Sequence, residues 1–527
     1  MRVMNDSFVH SSPQPLSHCL NPDYHGASMR IIYVDIDTLR ADHLGCYGYH
    51  RATSPAIDAL AKESLRFDRC YASDTPCLPS RTALTFGQFG INVGGINHGG
   101  VAAEPFIEGA NRGFRATNIE NSFAMCLRKA GFRTATISTF GERHSSLHWY
   151  AGYNEVLNVG KGGMESADEV EPIAADWLAR NLKKDSWFLH LHLWDPHTPY
   201  RAPAAYGEPF AKDPLPAWYT EKLRAKHWRS YGPHGAQEVT GFGGPGEAAW
   251  CTKYPRQPQQ IATMEDARKM FDGYDTGIRY ADDCIGRLLA QVRAAGVWDD
   301  TAIWISGDHG ETLGELGVYA DHQTADDITH RLPCVLKWPG LQPRSYAGMH
   351  YQFDIAATII ELAGGTVGEG WDGKSVAPAL RAGHEAARAS LILSQAAWSC
   401  QRSARWGEWL LIRTYHDGYH PFPEVMLFHI AHDPHELIDL AASRPDKVQE
   451  GLAILGDWHS ERMCKSAHGV DPMWTVLREG GPYHVRGALP DYIERLKSTG
   501  RADCAASLIG RDHGRPRELM AKNSDGI

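Results

Sequence analysis

Ile31-Ile32-Tyr33-Val34-Asp35-Ile36-Asp37-Thr38 is the stretch that sets the fold. Its unbroken apolar start reads as a strand covered on both faces, the pattern of a parallel sheet with helices on either side. The run ends in two aspartates two residues apart, which share a side if the strand continues through them. Ligand groups in open α/β sheets gather beyond the carboxyl ends of strands, so Asp37 is well placed to be one. Trp187 to Leu193 repeats the pattern and ends in Trp194-Asp195-Pro196-His197-Thr198-Pro199. Thr301 to Ser306 repeats it again and ends in Gly307-Asp308-His309-Gly310-Glu311. Further strands are expected at Phe67 to Ala72, Gly131 to Ile137 and Leu332 to Trp338. Helices are expected from Ser54-Pro55 and over Ser166 to Leu182, Met264 to Ala295 and Phe353 to Leu362. The implied class is α/β, with a large, mostly parallel central sheet flanked by helices.

With 527 residues the chain exceeds one ordinary core. Residues 1–28 are polar and read as an N-terminal arm without an apolar leader core, so a cytoplasmic protein is expected. Residues 29–385 form the expected catalytic domain, with an irregular, aromatic-rich insertion at 201–260 that reads as a lid or subunit contact. Residues 386–527 form a smaller α+β domain. Its strands are expected at Leu391 to Gln395, Trp406 to Tyr415 and Val425 to Ile430. A helical extension follows, for which contact with a second copy in a homo-oligomer is one reading, and the end from Lys522 is expected to be frayed. The eleven cysteines include no Cys-x-x-Cys pair, which argues against a disulfide framework or structural zinc. No run is long enough to span a membrane. A net charge of −10 argues against a nucleic-acid partner. It also repels an anionic substrate, so such a substrate needs concentrated local positive charge: a metal, Arg81, histidines or helix ends.

Asp74-Thr75-Pro76-Cys77-Leu78-Pro79-Ser80-Arg81 supplies the chemistry. Pro79 suits a first helical turn and Gly87 a helix stop, which places Cys77 at a helix N-terminus with Arg81 on the same face. A thiol there is expected to be poised for reaction. Asp37, Asp308 and His309, with an oxygen from residue 77, make a candidate divalent-cation site. The carboxylates favour Ca²⁺ or Mg²⁺, and the imidazole moves the balance toward Mn²⁺.

The string Cys77-x-Pro79-Ser80-Arg81 resembles the signature of the type I sulfatases of the alkaline phosphatase superfamily. Asp37 to His43, Asp195 to Pro199, Gly307 to Glu311 and Leu427 to Glu436 resemble further motifs of that family, in the family's order. The resemblance implies an alkaline-phosphatase-like fold and oxidation of Cys77 to formylglycine by a formylglycine-generating enzyme. It implies that Asp37, Asp308, His309 and residue 77 bind the metal, that Arg81 holds the formylglycine, and that His197 contacts the ester or its leaving group. One hydroxyl of the aldehyde hydrate then attacks a small-molecule or saccharide sulfate ester, and the second allows sulfate to be expelled.

Three departures stand out. Thr38 replaces a second aspartate and can offer a neutral oxygen to the metal. His322 stands where a lysine is common. Gly141-Glu142-Arg143-His144 lies where another lysine is expected, leaving His144 as base or sulfate binder. Exchanging lysines for histidines predicts activity that is sensitive to pH near neutrality. His148, Trp149 and Tyr150 are candidates for stacking on a ring of the substrate. The same features also resemble phosphonate monoester and phosphodiester hydrolases of the superfamily, and a binding protein on a retired scaffold is the non-enzymatic alternative.

Overall fold

The computed structural model describes residues 29–106, 117–511 and 513; the expected N-terminal arm and the end from Lys522 lie outside them. Strand Arg30–Ile36 is buried throughout and lies between Trp187–Leu193 and Thr301–Gly307, parallel to both. Arg133–Ile137 and Glu155–Leu157 extend the parallel side; Cys334–Lys337 and Leu65–Tyr71 continue the other side through antiparallel pairings, and Arg331–Leu332 and Arg344–Tyr351 pair with Leu65–Tyr71 to make nine strands among the described residues. Alternate residues feed opposite cores. Ile32, Val34 and Ile36 pack with the long helix Met264–Ala294 and helix Ala167–Asn181. Ile31 and Tyr33 pack with Leu84, Phe123, Ile355 and Ile359 on the other face. Thr263 and Ser166 close the N-termini of those two long helices with capping boxes, which fixes where each begins.

The smaller sheet runs Val425–His429, Trp409–His416, Cys400–Trp406, Ser390–Gln395, and the first three pairings are antiparallel. Two features depart from the expectation. Strand Cys400–Trp406 was hidden by its polar composition. Its arginines are buried because Arg402 pairs with Asp471 at 2.6 Å and Arg405 with Asp327 at 3.1 Å. The fifth strand is Asp74–Thr75, parallel to Ser394–Gln395, so the residues just before Cys77 belong to the small sheet although the helix after them packs on the large one.

The 201–260 insertion carries short helices Glu221–His227 and Pro245–Lys253. It packs against this chain's own extension, helices Leu489–Ser498 and Ala502–Ile509. Buried Glu238 takes Arg495 Nε at 2.8 Å and both terminal nitrogens of Arg501. Replacing Glu238 by alanine strands the buried Arg501 guanidinium, and a loss of about 3 kcal/mol is expected in denaturant unfolding. A loss under about 1 kcal/mol would mean the two segments are not held by this ion pair. Among the described residues no helix is long and apolar enough to cross a membrane.

Candidate active site and metal centre

Helix Cys77–Phe86 points its N-terminus at the carboxyl ends of the central strands. It stops at Gly87, where φ is 64° and a Cβ would lie 2.0 Å from Trp371, so no other residue fits. Asp37 follows the first strand, and its amide donates to Leu193 O at 2.9 Å. Asp308 and His309 follow strand Thr301–Gly307. A Cβ at Gly310 would lie 2.1 Å from Ile328 O, so glycine there lets the two backbones meet behind the site.

These elements bring one donor atom each from Asp37, Cys77, Asp308 and His309 within 4.8 Å of one another, all buried. His309 Nδ1 donates to Gly310 O at 2.8 Å, which leaves Nε2 unprotonated and facing inward. That nitrogen lies 3.1 Å from Cys77 Sγ and 3.3 Å from Asp308 Oδ2. Thr38, at φ 59°, donates its amide to Asp308 Oδ1 at 3.1 Å, and its buried hydroxyl has no partner.

Arg81 is 1% exposed and its hydrogen bonds run to acids rather than to Cys77. Nε donates to Asp35 at 2.9 Å, Nη1 to Asp37 at 3.0 Å and to Asp308 at 2.5 Å, and Nη2 to His192 Nε2 at 2.7 Å. Against the cost of burial, Arg81 holds the Asp35 and Asp37 carboxyls below their ordinary range. Burial, with Asp37 and Asp35 nearby, pushes Asp308 well above it. When all three acids are ionised, three carboxylates against one guanidinium leave two formal negative charges in a buried space, which a divalent cation would neutralise. The donor set of carboxylates, one imidazole and the position-77 side chain therefore fits a divalent cation.

The thiol differs from expectation. A helix N-terminus favours thiolate, but burial and then Asp37 and Asp308 push Cys77 well above an ordinary thiol. Without a cation, these surroundings disfavour the thiolate at Cys77.

His322 lies beside the centre, its ring 4.1 Å from that of His309 and its Nδ1 3.4 Å from Glu311. The His197 ring is 5.9 Å from that of His322, and its Nδ1 donates to Thr198 O. Burial lowers the pKa of His197, which leaves its other nitrogen an acceptor. His144 sits farther out, 4.6 Å from the Phe140 ring, which itself lies 4.6 Å from the Arg81 guanidinium. Its Nε2 is buried without a partner, and burial followed by Arg143 lowers its pKa to about 3. This imidazole is neutral throughout the neutral range, contrary to the pH sensitivity expected of it. His144→Gln should therefore leave the acid limb of the kcat/KM profile in place between pH 5 and 9 (a range of about four units). A displaced limb would show that His144 titrates there. Trp149 is also not a stacking platform; it is 3% exposed and packs edge-on to Phe140 and His190.

Several neighbours escaped the sequence reading. His190 and His192 alternate along an otherwise apolar strand, a spacing that signals a shared face. His98 accepts the Leu78 amide at 3.5 Å and meets His484 of the C-terminal extension at 2.8 Å, a pairing across most of the chain with no local signature.

A family model described as Sulfatase matches residues 30–365. The chain belongs to the sulfatase family, and with it to the sulfuric ester hydrolases. The multifunctional alkaline phosphatase superfamily protein PehA of Trinickia caryophylli is 29% identical over 211 residues, 37% of this chain and 38% of its own length. The structure of BT4656 with its substrate D-glucosamine-2-N,6-O-disulfate superposes with a TM-score of 0.64 at 20% identity, over 82% of this chain and 98% of that one. Phosphonate monoester hydrolase SpPMH from Silicibacter pomeroyi gives 0.62 at 20% identity, over 85% and 97%. These structural likenesses establish the alkaline-phosphatase-like fold.

Proposed function

We propose that this protein hydrolyses the sulfate ester of a saccharide or other small alcohol at a formylglycine made from Cys77. Asp37, Asp308, His309 and residue 77 would hold the divalent cation, Ca²⁺ first and Mn²⁺ or Mg²⁺ as alternatives, with Thr38 offering a neutral oxygen. The observation that carries this reading is the convergence of those four side chains at a helix N-terminus. When bound, the cation supplies charge neutralisation for the ester and acidifies a hydroxyl beside it. A hydrated aldehyde at position 77 supplies a hydroxyl nucleophile where the buried thiol cannot.

The remaining work falls to the chain's own side chains. His309 keeps its Nε2 lone pair directed inward because Gly310 holds the other nitrogen. Arg81 fixes Asp37 and Asp308 in one orientation. His197, whose free nitrogen is an acceptor, would take a hydrogen bond from the substrate, and His322, beside the His309 ring, would be the imidazole that hands a proton to the departing oxygen. The side chains around the donors are buried, which lowers the local dielectric and strengthens their charge interactions.

The test is protein made in a host that contains the maturing enzyme, assayed on aryl sulfates, sulfated sugars, choline sulfate and phenyl phosphonate esters, with mass analysis of the Cys77 peptide. Conversion of Cys77 and a preference for sulfate esters are expected. Unconverted Cys77 in active protein would sink the mechanism. A phosphonate monoester or phosphodiester activity is the second reading, favoured by Thr38 standing where many sulfatases have a second aspartate after the first. A phosphonate preference would establish it. Chelation should abolish turnover, and Ca²⁺ in hundredfold excess over its Kd should restore it and add about 2.7 kcal/mol of stability. Full activity after exhaustive chelation would rule out the cation.

A further inference from the structure

Arg81 is neutralised by the acids it binds, so it cannot be the positive charge that draws an anion into a protein of net charge −10. Two other guanidiniums lie close by without an acid. Arg143 ends the short helix Phe140–Arg143 and lies 5.0 Å from the Trp194 ring centre. The Arg81 guanidinium is 5.8 Å from the same centre, and His197 packs on that indole at 6.0 Å. Arg201 is 7% exposed. Both arginines donate to one carbonyl, Gly163 O, at 3.3 Å from Arg143 and 2.7 Å from Arg201. Arg201 also donates to Thr198 O at 3.0 Å, and its Nε is buried without a partner.

Among the described residues no carboxylate forms an ion pair with either. The nearest acids act on Arg201 only through space: Asp195 favours its charged form without a hydrogen bond to it, and Asp195 Oδ2 is itself buried without a partner. Glu165 accepts from Trp194 Nε1 at 2.9 Å and Gly163 N at 3.0 Å, while Asp195 accepts from Ala167 N and is raised to about 7 by burial. Burial, opposed by Asp195 and helped by Arg143, brings Arg201 down to about 10, which still leaves it a cation. Two like charges on one carbonyl repel, and a buried charge without a counter-ion is costly. An oxyanion received between them reverses both effects, and guanidiniums suit carboxylate and sulfate geometry.

We propose that Arg143 and Arg201 form a second anion subsite, which takes a carboxylate or sulfate group borne by the substrate in addition to the ester that reacts. The inference rests on the sulfatase reading above. It makes the preferred substrate an acidic, multiply charged saccharide.

The test compares kcat/KM for three esters on one sugar framework: a monosulfate, a disulfate, and a monosulfate whose sugar carries a carboxylate. Wild-type enzyme should favour one or both dianionic esters by at least about tenfold, and the preference should shrink as salt rises. Arg143→Gln, at the more exposed position, should cut that ratio about tenfold and remove its salt dependence; Arg201→Lys, which keeps charge but loses the fork, should cut it less. Whichever dianionic ester is favoured identifies the second group. An unchanged ratio in a folded Arg143→Gln enzyme overturns the subsite. An equal loss on all three esters also overturns it, since the pair would then serve the reacting group. Wild-type protein that hydrolyses none of them overturns the sulfatase reading and this inference with it.

Discussion

Cys77→Ala is expected to lower kcat by at least about 10⁴-fold while the protein stays folded. The side chain is 2% exposed and makes one polar contact, with His309 Nε2 at 3.1 Å, so truncating it costs little packing. A stability change of about 1 kcal/mol is expected, well short of unfolding a domain of this size. The loss should be functional because position 77 is where the helix N-terminus and the cation-binding donors converge. Unmatured protein that keeps its cysteine should be equally inactive, since a thiol lacks the second hydroxyl from which the proposed mechanism expels sulfate. Turnover within tenfold of the parent in either protein would place the nucleophile elsewhere. Thermal melts and steady-state kinetics on the same preparations separate the two effects.

Arg81→Ala should be the most damaging substitution for stability. The guanidinium binds Asp35, Asp37, Asp308 and His192, and its removal leaves three buried carboxylates facing one another. Breaking a buried ion pair on one side costs about 3–5 kcal/mol, and here three acids lose the same partner. Unfolding midpoints in denaturant should fall accordingly with the cation chelated. Added Ca²⁺ should recover part of the loss, because it neutralises the same acids. A variant as stable as the parent without a divalent ion would show that these carboxyls take up protons without cost, and would remove the charge argument for the metal.

The sequence made the large sheet legible because its strands are long apolar runs ending in chemistry: Asp37, His197, and the pair Asp308 and His309. The nucleophile helix was equally legible through Pro79 and Gly87. What stayed hidden was polarity that is buried. Strand Cys400–Trp406 holds Arg402 and Arg405 inside because each finds an acid far away in sequence. Asp74–Thr75 is too short to carry a period. The reach of Arg81 toward Cys77 follows from helix spacing, yet charge decides where its nitrogens go. The same rule explains Arg143 and Arg201, which look like ordinary loop cations until the structure shows that, among the described residues, no acid forms an ion pair with them.

The two-residue strand just before Cys77 has one more consequence. Its hydrogen-bonding partner, Ser394–Gln395, is not made until most of the polypeptide has left the ribosome. The segment before Cys77 therefore lacks this anchor until about three-quarters of the chain has been made, and on the proposed reading a modifying enzyme would reach position 77 more readily before that pairing than after it.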